Sequence, residues 1–271
     1  MNRLHKTFAS LRAKHQKALS LYVTAGFPKL GDTLPLVLSL AEHGADLIEL
    51  GVAFSDPIAD GPTIQASSEA ALRNGITLEK TYEIARQIRA QSEIPLVLMG
   101  YSNPIFHYGM DRFFARCAEI GIDGTIIPDL SLEEGEEYRA VSQRHGISSI
   151  FLVAPTSSDE RIRRLDEASD GFLYCVSVTG VTGERKGLGA DVIEFLERAR
   201  RTVRKNPLLV GFGISTPEDA SLIARNCDGI VIGSALVNIL KNSQQNGSYN
   251  EAKSFVQQMR KAIDTSKRDS P

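Results

Sequence analysis

An acidic residue inside an apolar stretch is the first feature of this sequence that could do chemistry. Glu49 follows Leu47 and Ile48 in a run that is typical of a buried strand. A carboxylate in that setting costs free energy unless it is paired or used. Two interpretations are open. Glu49 is either a general acid/base at the rim of a pocket, with a pKa raised by desolvation, or one partner of an ion pair inside the fold.

Two aspartates follow on the segment that leaves this strand. Asp56 precedes Pro57 and Asp60 precedes Gly61, and both pairs are common in turns. We assign only that turn-forming role to Asp56. Because Asp60 leaves the same strand end, it can share a site with Glu49. One carboxyl group would then exchange protons while the other stays ionised and holds a polarised N–H.

Glycine-rich segments in the last third of the chain could bind an anion. Residues 211–215 and 233–235 follow what we interpret as the last two strands. Backbone N–H groups and helix N-termini bind phosphate at this place in closed α/β barrels, although glycines after strands also form plain turns. Since the two segments fall on adjacent units, we predict a phosphate site that includes Gly213, Gly233 and Ser234.

Another segment, residues 180–189, combines glycines with charged residues. It lacks the spacing and the Lys-Ser/Thr ending of a nucleotide-binding loop, so it does not indicate a nucleotide site. Two interpretations stay open. The segment is a lid whose glycines permit closure and whose Thr182 reaches the carboxylates, or it is a plain solvent-exposed loop.

Other residue types exclude several classes of function. The five histidines have no metal-ligand spacing, and Cys117, Cys175 and Cys227 are scattered like reduced core thiols. A net charge of -2 gives no basic field for nucleic acid. No apolar run approaches the roughly 18 residues of a membrane span. We therefore expect a cytoplasmic protein with no metal, nucleic-acid or membrane partner.

The elements that must position these residues repeat along the chain. Short apolar, β-branched runs alternate with amphipathic stretches of helical period, which is typical of strand–helix units around a parallel sheet. Most runs are apolar at consecutive positions, as strands covered on both faces are. The sequence therefore predicts an α/β fold, a TIM (β/α)8 barrel. Its eight strands are expected at residues 19–24, 47–52, 96–99, 124–127, 150–153, 172–176, 208–211 and 229–232.

The ends and connections complete this prediction. Residues 1–15 are expected to form an extra N-terminal helix on the barrel floor, and residues 264–271 a frayed polar tail. The connections after the second and sixth strands are long and leave the face where barrels carry their chemistry. A chain of 271 residues, 42% of them hydrophobic, can bury one large core. We expect a single domain, residues 1–271.

Taken together, the motifs resemble those of the tryptophan synthase alpha chain family. Ala53 and Ser131 stand where family members usually have proline. In the family these loops face a partner subunit, so the two departures bear on loop stiffness and on the interface rather than on a reacting group. The resemblance covers nearly the whole chain through segments 24–26, 49–62, 101–104, 127–130, 176–177, 180–183, 211–215 and 233–235.

The resemblance implies a lyase of tryptophan biosynthesis without a cofactor of its own. Its reaction is the reversible cleavage of indole-3-glycerol phosphate to indole and D-glyceraldehyde 3-phosphate. Glu49 would protonate ring carbon 3 and remove the proton of the adjacent hydroxyl. Ionised Asp60 would hold the ring N–H, and Tyr174 and Thr182 would hold Asp60. Further substrate contacts are implied for Tyr22, Ile64, Met99, Ile126, Gly183 and Phe212.

The resemblance also implies a partner. The family works as an alpha2beta2 tetramer in which indole passes to a beta subunit that carries pyridoxal phosphate (PLP), so the isolated chain should turn over slowly. Two alternatives keep the same fold: a stand-alone lyase that releases free indole, and a silent barrel that only activates the beta subunit. Retention of Glu49 and Asp60 argues against the silent barrel. A phosphate-binding isomerase barrel would lack the stretch from Glu49 to Asp60.

Overall fold

The computed structural model describes residues 2–176, 190–211, 213–243 and 249–265. Strands and helices alternate through these ranges. The strands are β1 (Ala18–Thr24), β2 (Leu47–Gly51), β3 (Leu96–Met99), β4 (Gly124–Ile126), β5 (Ser148–Ile150), β6 (Leu152–Val153), β7 (Leu173–Val176), β8 (Leu208–Gly211) and β9 (Gly229–Ile232). The helices are α1 (Arg3–Ala13), α2 (Thr33–Glu42), α3 (Pro62–Arg73), α4 (Leu78–Arg89), α5 (Ser102–Tyr108), α6 (Met110–Ile120), α7 (Gly135–Arg144), α8 (Asp159–Ala168), α9 (Ala190–Thr202), α10 (Pro217–Ala224), α11 (Ser234–Ser243) and α12 (Asn250–Asp264).

The strands form one parallel sheet that curls into a barrel. Their order is β5-β4-β3-β2-β1-β9-β8-β7-β6, and β5 and β6 at its two ends are consecutive in the chain. The sheet therefore closes through the chain itself. This is the predicted TIM barrel, with its fifth strand in two pieces.

The break in the fifth strand lies at Phe151. Its N–H donates to the Ser169 hydroxyl at 3.1 Å, so a side chain replaces a neighbouring strand as partner. The prediction of residues 150–153 was also wrong at the start of the strand. The strand begins at Ser148, because the buried hydroxyls of Ser148 and Ser149 bond Asp170 and Ser142 and keep a polar sequence inside.

Burial divides the strand residues between two faces, as predicted for strands covered on both sides. One face packs against the helices, with Leu50 and Leu98 in the large core. The other face points into the barrel, where Val97 and Ile126 belong to a separate cluster. Helix α1 inserts Leu4, Phe8 and Leu11 into that inner cluster. The N-terminal helix therefore closes the barrel floor, as expected.

Asp123 fastens α1 to the floor. Its carboxylate accepts the backbone N–H groups of Arg3 and Leu96, and the guanidinium of Arg89 lies 3.0 Å from it. The Asp123 side chain is 1% exposed. A buried carboxylate with this many donors is well satisfied, so it stabilises the floor instead of destabilising it.

The connection after β2 owes its surplus length to a helix. Residues 52–61 form an irregular loop, and α3 and α4 then precede β3. Gly61 caps α3 and Pro62 is its first residue, which is the preferred position for proline in a helix. The connection predicted after the sixth strand falls on residues 177–189, outside the described ranges, as do residues 266–271 of the predicted tail.

Candidate active site

Glu49 lies fully buried inside the barrel, whereas one of its two interpretations placed it at the rim of a pocket. It is the third residue of β2, with Leu50 and Gly51 still to follow, and it is fully buried. Its Oε1 accepts a 2.6 Å hydrogen bond from the Ser20 hydroxyl on β1. Its Oε2 has no partner among the described residues.

The environment of Glu49 favours the protonated carboxyl group. Burial raises its pKa from 4.5 to about 7, and the hydrogen bond from Ser20 opposes that rise. No cation of the described residues contributes to the shift. The predicted alternative of an ion pair inside the fold therefore has no support here. A carboxyl group with such a pKa can both give and take a proton near neutrality.

Asp60 is half-buried on the loop that leaves β2. Burial raises its pKa from 3.8 to about 6, and a hydrogen-bonding interaction with the Tyr101 hydroxyl opposes the rise. Tyr101 also accepts the Ala59 N–H at 3.1 Å and stacks on Phe54 with ring centroids 5.4 Å apart. Asp60 therefore titrates below Glu49 and is mostly ionised at neutral pH.

The same loop gives Asp56 the turn-forming position expected for it. Asp56 is exposed, and its carbonyl accepts the Ile58 N–H at 2.9 Å. A second turn follows at once, where the Asp60 N–H donates to the Pro57 carbonyl at 3.0 Å. Gln65 then bonds the Asp60 carbonyl at 2.8 Å. These bonds fix the backbone on both sides of the Asp60 carboxyl group.

Two buried tyrosines connect the acids. Tyr22 of β1 and Tyr174 of β7 each interact electrostatically with both Glu49 and Asp60. Burial is the main reason why the pKa of each phenol is raised, and the two carboxylates add to it. The two carboxyl groups therefore both lie near Tyr22 and Tyr174, although they come from different parts of the β2 unit.

Tyr174 was expected to hold Asp60. Asp60 has a hydrogen-bonding interaction with Tyr101, whereas its interaction with Tyr174 is electrostatic. The Tyr174 hydroxyl lies over Gly211 of the neighbouring strand, 2.6 Å from where a Cβ would be. The expectation came from family resemblance alone. Tyr101 carried a usable signal, because it begins a segment at the end of β3, next to the end of β2 in a parallel sheet.

Four of the five apolar residues predicted for the pocket lie in the described ranges, and they come from four neighbouring units. Tyr22 and Ile126 are buried, whereas Ile64 of α3 and Met99 at the end of β3 are partly buried. Ile64 Cδ1 and Tyr22 Cβ both lie within 4 Å of the space beside Gly233. The side chains of Ile64 and Tyr22 therefore reach the last strand unit.

The predicted phosphate-binding residues lie at the carboxyl ends of β8 and β9. Gly213 is exposed and has a φ of +54°, a conformation that favours glycine. Gly233 directly precedes α11, and Ser234 is the first residue of that helix. Free N–H groups at a helix N-terminus attract anions. Since β8 and β9 pair directly, the two segments lie side by side.

Three predicted site residues, Thr182, Gly183 and Phe212, lie outside the described residues.

Ser20 was not predicted from the sequence as a partner of Glu49. The available signal was a hydroxyl between Leu19 and Leu21, two positions before Tyr22 and so on the same face. In the described ranges no cluster of three or more His, Cys, Asp and Glu side chains could hold a metal ion. No helix in those ranges is long and apolar enough to cross a membrane.

Solved structures of known proteins share this architecture. A tryptophan synthase alpha chain from Legionella pneumophila superposes with a TM-score of 0.89 at 38% identity, covering 97% of this chain and 98% of that one. A tryptophan synthase structure from M. tuberculosis gives a TM-score of 0.86 at 34% identity, with 97% and 98% covered.

Sequence comparison agrees with the structural comparison. The tryptophan synthase alpha chain of Geobacter sulfurreducens is 46% identical over 263 residues, which are 97% of this chain and 99% of that protein. The corresponding protein of a Thermoanaerobacter species is 45% identical over 264 residues, with 97% and 100% covered. The profile of the family "Tryptophan synthase alpha chain" matches residues 8–265. This chain belongs to the tryptophan synthase alpha chain family.

Proposed function

We propose that Glu49 and Asp60 carry the reaction of this family in this chain. The family consists of lyases that cleave indole-3-glycerol phosphate in tryptophan biosynthesis, without a cofactor of their own. The observation that carries the assignment is Glu49 itself. It is a fully buried carboxyl group with one oxygen free among the described residues and a pKa raised to about 7. It faces the same tyrosines as Asp60.

Glu49 would act on carbon and oxygen in turn. In its protonated form it gives a proton to carbon 3 of the indole ring. The resulting carboxylate removes the proton of the adjacent side-chain hydroxyl, the carbon–carbon bond breaks, and the bonding electrons neutralise the ring cation. The products are indole and glyceraldehyde 3-phosphate, and Glu49 ends protonated as it began. A pKa near neutrality suits a group that must do both.

Asp60 would stabilise the charge that appears between these steps. When carbon 3 is protonated, the ring nitrogen becomes cationic and its N–H a stronger donor. An ionised carboxylate beside this N–H stabilises the cationic ring more than it stabilises the neutral ring of the bound substrate. Its pKa of about 6 keeps Asp60 ionised while Glu49 is still protonated. The lower pKa supports this division of labour between the two acids.

The remaining site residues would bind the two ends of the substrate. We assign the indole ring to the side chains of Tyr22, Ile64, Met99, Ile126 and Phe212, and the phosphate to Gly213, Gly233 and Ser234. We assign the holding of Asp60 to Tyr174 and Thr182, and a further substrate contact to Gly183. Tyr22 and Ile64, which we assign to the indole ring, lie next to Gly233, which we assign to the phosphate. This arrangement supports a substrate in which a ring and a phosphate are joined.

The assignment is tested by product formation from indole-3-glycerol phosphate. Wild type should form indole and glyceraldehyde 3-phosphate in equal amounts. Glu49→Gln and Asp60→Asn should each lose at least about a hundredfold in kcat, the usual scale of acid–base and electrostatic contributions. Glu42→Gln, an exposed position on α2, is the matched control. Near-wild-type turnover by Glu49→Gln or Asp60→Asn would overturn the role of that residue.

The family name implies a beta-subunit partner, and we propose an alpha2beta2 tetramer whose beta subunit holds PLP. Ile58 on the loop that carries Asp60 is 82% exposed, so a partner that covers it could order the catalytic loop. Turnover should rise when purified beta subunit is added. Equal turnover with and without the beta subunit would favour the stand-alone lyase.

The three unpaired buried cysteines fit a reducing compartment such as the cytoplasm.

A further inference from the structure

Ser20 is buried on the inner face of the barrel beside Glu49. In the parallel register Tyr22 is opposite Glu49, and Ser20 is opposite Leu47, so Ser20 lies one inward position closer to the barrel floor. Ser20 has no exposed surface, and its hydroxyl donates to Glu49 Oε1 at 2.6 Å. Such a bond between buried side chains fixes the orientation of both.

We propose that Ser20 is a positioning residue for the cleavage reaction, holding Oε1 of Glu49 so that Oε2 is the oxygen that exchanges protons with the substrate. The inference rests on the proposed role of Glu49. Oε2 is buried and has no partner in the described part of the chain. A carboxyl oxygen left without a donor inside a protein is costly, and a substrate atom would satisfy it.

The other polar groups around Glu49 do not take the place of Ser20. Tyr22 from β1 and Tyr174 from β7 face Glu49 electrostatically. The Tyr22 hydroxyl accepts from Thr24 at 3.4 Å instead. Asp60 acts on the same two tyrosines from the loop above. Among the described residues, Ser20 therefore supplies the hydrogen bond that Glu49 accepts.

This hydrogen bond also influences when Glu49 ionises. A donor stabilises the carboxylate more than the neutral acid, so Ser20 holds the pKa of Glu49 below the value that burial alone would give. Loss of the donor would shift the pKa of Glu49 upward, so the protonated form that starts the reaction would persist to higher pH.

A matched pair of variants separates the hydroxyl from the packing. Ser20→Thr keeps the hydroxyl and adds a methyl group. Ser20→Val has nearly the same shape as Ser20→Thr but lacks the hydroxyl. Ser20→Val should lose about tenfold in kcat with little change in KM, as expected for a lost hydrogen bond to a reacting group. The Glu49-dependent part of its pH–rate profile should move to higher pH by about one unit. Ser20→Thr should stay close to wild type in both measurements.

The outcomes of these measurements decide whether Ser20 positions Glu49. Equal kcat and equal pH profiles in Ser20→Thr and Ser20→Val would overturn the proposal, as would faster turnover in Ser20→Val. Should both variants unfold, Ser20→Ala, which removes the hydroxyl without added bulk, gives the same comparison against wild type. Glu49→Gln is measured in parallel. If it is inactive while Ser20→Val is unchanged, only the positioning role fails, and if it is active, the proposed function fails.

Discussion

The hydroxyl oxygen of Tyr22 occupies the space that a side chain at position 51 would need. A Cβ built on Gly51 would lie 2.2 Å from that oxygen and 2.6 Å from the ring carbon that bears it. Gly51 follows Glu49 by two residues and shares its inward face. The absence of a side chain at Gly51 is therefore what lets the Tyr22 ring lean over β2 beside Glu49.

Gly51→Ala is expected to damage both folding and catalysis. The methyl group must push the Tyr22 ring out of place, and overpacking of this kind typically costs about 1–3 kcal/mol. Because Tyr22 borders the proposed indole site, KM should also rise. Urea unfolding and steady-state kinetics measure the two effects. Gly31→Ala is the matched control, since a Cβ at Gly31 meets nothing within 4 Å; equal behaviour of the two variants would contradict the packing argument.

Tyr101→Phe is expected to shift the acid limb of the activity profile to higher pH. The Tyr101 hydroxyl lowers the pKa of Asp60, which burial raises to about 6. Without that hydroxyl the pKa rises further, so ionised Asp60 is lost at a higher pH as the solution is acidified. The change is read from the pH dependence of kcat/KM.

The control for Tyr101→Phe is Tyr108→Phe. Tyr108 also bonds a carboxylate, that of Glu79, but at an exposed pair on the outside of the barrel. Its removal should leave the profile in place. An unchanged acid limb in Tyr101→Phe would show that Tyr101 does not act on Asp60.

Glu49→Gln should alter how stability depends on pH. The pKa of Glu49 is about 7 in the folded chain and 4.5 in its ordinary environment, so between these pH values the folded state binds more protons than the unfolded state. Wild type therefore loses stability as pH rises through this window, by about 3 kcal/mol in all. Glu49→Gln lacks this loss and should become more stable than wild type toward pH 8.

Urea titrations of wild type and Glu49→Gln at several pH values give the comparison. Glu42→Gln, on the exposed side of α2, should follow wild type throughout. A constant difference between wild type and Glu49→Gln from pH 4.5 to 7 would mean that Glu49 does not titrate in this window.

Asp123→Ala should cost far more stability than Asp111→Ala. The Asp123 carboxylate is 1% exposed, and its removal takes away the ion-pair partner of the Arg89 guanidinium, itself 10% exposed. Breaking such a buried pair costs about 3–5 kcal/mol. Asp111 is 70% exposed beside Arg144, and exposed pairs contribute about 0–1 kcal/mol. Similar losses in chemical denaturation would contradict the view that Asp123 secures the floor.

The barrel was predictable because its strands are buried on both sides. Consecutive apolar residues mark β3, β8 and β9 at the predicted bounds. The start of β5 was not predictable in this way. Ser148 and Ser149 resemble a loop until their hydroxyls are seen to bond partners far along the chain, and such partners leave no local pattern.

In the candidate site, too, some residues were predictable from a local sequence pattern and others were not. Glu49 and Asp60 stand out because an acid in an apolar strand and an acid in a stiff loop are locally unusual. The hydrogen bond from Ser20 and the interaction of Tyr101 with Asp60 cross between neighbouring strand units. These pairings depend on strand register and on the tilt of a side chain, which sequence spacing alone does not supply.

Direct titration of the Glu49 carboxyl group tests the central claim, that burial inside the barrel makes this side chain a proton donor and acceptor near neutrality. The carboxyl signal of Glu49 is isolated by subtracting the infrared spectrum of Glu49→Gln from that of wild type across a range of pH. We expect a midpoint of about 7. A midpoint near the ordinary value of 4.5 would contradict it.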